Sequence, residues 1–130
     1  MVVVPFPVSC EVAFDYLVDP RNRAQWQSSL VRVEDVDGEP RVGQTWLDVT
    51  RTGVRPRLET TELDRPRRWT ERGTWRGIAA TLTLDFAETA AGCDVLATVT
   101  ISGPIAIPLR LLAPYAVRGD LRRAASRLTP

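Results

Sequence analysis

The sequence contains no histidine and no lysine, so all 17 of its basic residues are arginine. Without histidine it lacks the commonest general base near neutral pH, the commonest zinc ligand and every nucleophilic triad that depends on an imidazole. Without lysine there is no Schiff-base chemistry and no phosphate-gripping P-loop lysine. Cysteine is confined to Cys10 and Cys93, which are far apart and belong to no CxxC pair. Two such residues neither define a disulfide framework nor complete a metal site, and they read as a buried pair of structural thiols. No apolar run reaches the length needed to cross a bilayer. The opening MVVVPFPVS is apolar but lacks a basic n-region and a long h-region, so it reads as a first strand and not as a leader. A net charge of +1 gives no global field toward nucleic acid or an anionic membrane. The expectation is a soluble, cytoplasmic chain with no metal, no cofactor, no nucleic-acid partner and no stable membrane insertion.

What is present is ordinary for one globular domain: 130 residues, 44% hydrophobic and 25% charged, enough for a real core and too short for two usual domains. From Ser9 to Val18, residues Cys10, Ala13, Phe14 and Leu17 fall on one helical face, with Ser9 as N-cap and Glu11 in the first turn. Pro20 ends that helix at Asp19, which can cap a second, short helix running to Trp26. Trp26 is assigned to structure, as a plug against the rest of the fold. The period then changes to alternation. SLVRVEDV places Val31 and Val33 against Arg32 and Glu34, and QTWLDVTR, RLETTEL, RWTERGTW, ATLTLDFAE and DVLATVTIS each read as a strand between short turns. With the first strand this makes seven, and connectors this short favour an antiparallel meander. The chain closes on a long helix carrying Val117, Leu121, Ala124 and Leu128 on one face and Arg118, Arg122, Arg123 and Arg127 toward solvent. Pro108 lies near its start, and Pro114 either kinks it or marks its beginning.

This order, together with SCEVAFDYLVDP, the short helix ending in AQW, the turn GEPRVGQTW, the segment TELDRPRRWTERG and the Gly-Cys-Asp-Val entry to the last strand, resembles the SRPBCC, or START-like, superfamily. The likeness is greatest to its polyketide cyclase/dehydrase and lipid-transport branch and covers essentially the whole chain. It implies a single START-like domain over residues 1–130 with an α+β helix-grip fold. In that fold a curved seven-stranded antiparallel sheet wraps a long C-terminal helix, two short helices lie between strands 1 and 2, and a cavity lies between sheet and helix. Such a fold does not by itself fix a chemistry.

Alternation gives the candidate site. Trp46, Asp48 and Thr50 share one face, as do Trp69, Glu71, Gly73 and Trp75; Leu82, Leu84 and Phe86; and Val95, Ala97, Val99 and Ile101. The last two sets are apolar and mark the inward side. Trp46, Trp69, Trp75, Leu84, Phe86, Val99 and Tyr115 are the candidate ligand contacts, with indole N–H and phenol O–H groups as orienting donors. Asp48 and Glu71, with Tyr115 as a hydrogen-bond donor, are the candidate catalytic groups, because apolar walls raise a carboxyl pKa and enolisation or aldol-type cyclisation of a polyketide needs such proton transfers. Charged residues are seldom buried without partners, so the simpler placement of both is at strand ends or paired with arginine on the sheet surface. Arg65, Arg67 and Arg68, like the helix arginines, read as solvated faces. Three functions follow: a binder of a lipid, isoprenoid or polyketide, favoured because no compelling catalytic constellation is visible; an aromatase/cyclase-like enzyme; and an interaction module with a filled cavity. The chain is expected to be a monomer or homodimer.

Overall fold

A computed structural model describes residues 1–103 and 106–128; the side chains of residues 106–115 lie outside that description, and Tyr115 with them. The elements run β1 (Val2–Phe6), α1 (Cys10–Val18), a single 3₁₀ turn (Pro20–Asn22), α2 (Arg23–Trp26), β2 (Leu30–Glu34), β3 (Thr45–Thr50), β4 (Arg57–Asp64), β5 (Arg68–Trp75), β6 (Ile78–Thr89), β7 (Gly92–Ser102) and α3 (Ala106–Arg127). The seven strands form one antiparallel open sheet in the order β1-β7-β6-β5-β4-β3-β2. This is the helix-grip arrangement, with two short helices between the first two strands and a long helix at the end.

The local signals act as their chemistry dictates. Ser9 Oγ accepts from the Val12 amide at 3.3 Å and caps α1, while Asp19 accepts from the Arg21 amide at 3.0 Å and starts the next turn with Pro20 in first position. The β5–β6 hairpin turns on Arg76 and Gly77, both at positive φ (46° and 81°), the geometry of a two-residue type I′ turn. α3 begins at Ala106, so Pro114 does not mark its start.

Two expectations need correction. Val31 does not face inward: a bulge between Leu30 and Arg32 shifts the β2 register, and Val31 ends 47% exposed. Cys10 and Cys93 are not a pair of thiols; they form a disulfide across 83 residues of sequence, with Cα atoms 5.0 Å apart. The bond ties the first turn of α1 to the start of β7, where Phe6, Phe14, Leu17 and Phe86 close the core and the Phe14 and Phe86 rings meet at 5.1 Å.

Candidate functional site

The sheet registers the inward side chains in rows. One row, Trp69–Leu84–Ala97, is fully packed. The next, Glu71–Leu82–Val99, and those beyond it, Gly73–Ala80 and Trp75–Ile78, open onto a pocket of about 800 Å³ between the sheet, α2 and α3. The hollow has a sequence cause. Gly73 and Ala80 face each other across β5 and β6 with almost no side chain between them, and a Cβ on Gly73 would come within 2.9 Å of Leu58 Cδ1. Trp75 lines the outer part, its ring covered by the Arg76 guanidinium at 5.0 Å. From α3, Val117, Asp120 and Leu121 reach the same space.

The inner end of the pocket is charged. Arg23, the first residue of α2, is 2% exposed and lies between Asp48 of β3 and Glu71 of β5, each 5% exposed. It donates through Nε and Nη2 to Asp48 at 3.2 and 2.9 Å, and through Nη1 to Glu71 at 2.7 Å. Asp48 Oδ1 also accepts from the Trp46 indole N–H at 3.1 Å, and the guanidinium lies over that indole at 5.1 Å. One cation is thus shared by two carboxylates, leaving a buried group with one negative charge in excess when both are ionised. Burial pulls the Arg23 pKa down, and the two carboxylates more than reverse this, so the residue stays charged. Burial pushes the Glu71 carboxyl above its ordinary value, opposed by Arg23 and reinforced by Asp48. Asp120 is also raised by burial, against the Ser28 amide and hydroxyl that donate to it at 3.2 and 3.0 Å. In both carboxyls burial thus acts in favour of the protonated form.

Asp48, Glu71, Trp75 and Val99 line this pocket, whereas Trp46, Trp69, Leu84 and Phe86 belong to the closed core behind it. The Trp46 and Trp69 N–H groups are already spent, on Asp48 and on Thr60 Oγ1 at 3.1 Å. The Tyr115 side chain lies outside the described residues. The two carboxylates combine the alternatives weighed from sequence: they face the pocket and are paired with arginine, but inside the fold and not on its surface. Sequence reasoning missed Arg23, although it precedes the inward Trp26 by three positions and so shares its helix face. Trp26, assigned to structure from the sequence, is part of the buried core and also lines the pocket. The turn arginines are neutralised in place: Arg65 pairs with Asp15 at 2.7 Å, Arg67 with Asp64 at 3.1 Å, and Arg68 with Glu62 and Asp85 at 3.0 and 3.2 Å. Among the described residues no group of three or more His, Cys, Asp or Glu side chains could hold a metal ion, and no helix is long and apolar enough to cross a membrane.

A family model described as "Polyketide cyclase / dehydrase and lipid transport" matches residues 2–130. Among solved structures, a protein of Mesorhizobium loti is similar over 98% of this chain and 93% of its own, with 15% identity and a TM-score of 0.79. Ara h 8.0201 is similar over 98% and 94%, with 13% identity and a TM-score of 0.77. DynU16, a protein in the dynemicin biosynthetic locus, is similar over 98% of this chain and 45% of its own, at 18% identity and a TM-score of 0.72. At these identities the likeness is one of fold. Among curated proteins none matches.

Proposed function

Since the chain belongs to the polyketide cyclase/dehydrase and lipid-transport family, we propose that it acts as a single START-like domain that binds a hydrophobic small molecule, of lipid, isoprenoid or polyketide type, between the sheet and α3. The observation that carries this reading is the pocket of about 800 Å³, walled by Leu58, Trp75, Ile78, Leu82 and Val99 and bearing its buried polar groups at one end. Apolar walls supply affinity and a few fixed polar groups supply orientation. Native mass spectrometry of gently purified protein, compared with the denatured chain, tests it. An adduct lost on denaturation and recovered by solvent extraction is the expected result; a bare mass together with no uptake of added apolar ligands overturns it. The same spectrum reads whether the chain is a monomer or homodimer.

A second reading, an aromatase/cyclase-like enzyme, draws on one feature: Glu71 lines the pocket and burial pushes its carboxyl pKa upward, the direction a general acid needs. It predicts that Glu71→Gln keeps ligand binding and abolishes turnover. A filled interaction module is disfavoured by a cavity of this size. A cytoplasmic location belongs to the reading only if Cys10 and Cys93 are reduced in the cell, since disulfides are rare in reducing compartments; thiol labelling of protein drawn directly from cells decides.

A further inference from the structure

Resting on that reading of the pocket, we propose that its ligand is a neutral apolar molecule bearing a hydroxyl group that donates to Asp48 or Glu71, and that the pocket rejects ligands ending in a carboxylate. The first argument is the occupancy of Arg23. A guanidinium grips a carboxylate through two adjacent N–H groups. The Nε/Nη2 side of Arg23 is taken by Asp48, and the Nη1/Nη2 side by Glu71, whose Oε1 stands 3.4 Å from Nη2. Nη2 also faces Gln27 Oε1 at 3.3 Å. No fork remains for an incoming acid. Among the described residues the pocket's other lining arginine, Arg51, is exposed and donates through Nε to the Ser28 carbonyl at 3.0 Å, and Asp120, a third lining carboxylate, balances its charge. An acid would thus bring a further negative charge against the excess these carboxylates carry when ionised, beside Asp48 and Glu71 that are each only 5% exposed.

The second argument is unused acceptor capacity. A carboxylate offers about four acceptor positions. Asp48 Oδ1 receives both Arg23 Nε and Trp46 Nε1, but among the described residues Asp48 Oδ2 and both Glu71 oxygens accept one bond each. These are buried carboxylate oxygens on a pocket wall, each with acceptor positions to spare. A donor from the ligand would complete them. Trp26, on the same α2 face as Arg23 and lining the same pocket, adds a separate observation: its indole N–H is buried and has no acceptor among the described residues. A hydroxyl both donates and accepts, and so suits both deficits. An ammonium group answers only the first and brings three donors that must all be stripped of water.

The test uses four pyrene probes that share one ring system: pyrene, 1-pyrenemethanol, 1-pyrenecarboxylate and 1-pyrenemethylammonium, titrated at pH 7.5 by their own fluorescence. The alcohol is expected to bind about tenfold tighter than pyrene, the worth of one hydrogen bond to a charged acceptor, and the carboxylate weaker than pyrene. In Glu71→Gln the gap between alcohol and carboxylate is expected to narrow. The inference alone falls if pyrene binds but the alcohol gains nothing over it, if the carboxylate equals or exceeds the alcohol, or if the ammonium probe is tightest. If no probe binds, pyrene included, the reading of the pocket as a ligand site falls with it.

Discussion

Along β5, β6 and β7 the same inward alternation runs from one end of the sheet to the other, yet the two ends have opposite interiors. Toward β1 and α1, Trp69, Leu84 and Ala97 sit under Phe6, Phe14 and Leu17, and none of these exceeds 2% exposure. Two residues further along each strand the row becomes Glu71, Leu82 and Val99, and beyond it Gly73 and Ala80, around a cavity. A helix with aromatic side chains and a disulfide fills one end; the four-residue α2 brings an arginine to the other. The pattern of alternation sets which side chains point in. Their sizes, and the helix set against them, decide whether the space is filled or kept open.

The largest expected effect comes from breaking the charged boundary between the two ends. Arg23→Ala leaves Asp48 and Glu71 buried without their counter-ion and should cost about 3–5 kcal/mol, read as a lower midpoint in urea unfolding. A variant within 1 kcal/mol of the parent would mean that water reaches these carboxylates freely. Next is a paired truncation on β6. Leu84→Ala, in the closed row, should cost about 2–5 kcal/mol, whereas Leu82→Ala, whose side chain already borders the pocket, should cost about 1 kcal/mol or less. Equal losses would erase the distinction between the two ends.

The pH dependence of stability sharpens the comparison further. Glu71 and Asp120 hold protons more tightly folded than unfolded, from ordinary values of 4.5 and 3.8. The folded chain therefore binds more protons above those values, and stability should fall as pH rises through the raised pKa values. Asp15 and Asp19 have the opposite sign: the hydrogen bond from Arg65 lowers Asp15, and Arg21 outweighs the burial that pushes Asp19 up. Their contribution is lost as pH falls below the ordinary 3.8. Thermal melts across pH should show a maximum between the two limbs, and Glu71→Gln should flatten only the one at higher pH. The smallest stability effect is expected for Trp75→Ala. Half-exposed at the pocket's outer wall, it should change the melting point little while weakening retention of an apolar ligand about tenfold, which is about 1.4 kcal/mol of binding.

Much of this architecture is legible from residue order. Ser9, Asp19 and Pro20 announce the two short helices because capping is local chemistry; Arg76 and Gly77 mark a hairpin for the same reason. The alternation of ATLTLDFAE and DVLATVTIS identifies the inward face because both strands are central and unbulged over that stretch. Val31 escapes the same logic, since one bulge in β2 inverts the phase and depends on pairing with β3. Glu71 and Asp48 were recognisable as inward candidates, but not their partner. Arg23 comes from a segment 25 residues before Asp48 and 48 before Glu71, and only the docking of α2 onto the sheet brings the three together.

The sequence by itself determined the elements, their order, the antiparallel sheet and the inward face of the unbulged strands β6 and β7, because caps, turns and side-chain periodicity act over a few residues. The absence of histidine and lysine likewise means that imidazole and lysine-amine side chains take no part in whatever site this sequence forms. Only the tertiary structure decided that Cys10 meets Cys93, that Trp46 and Trp69 are packed away while Trp75 borders a cavity, and that one buried arginine serves two carboxylates. Those outcomes depend on distances between segments that are remote in the chain, and on whether the volumes brought together there fill the space between them.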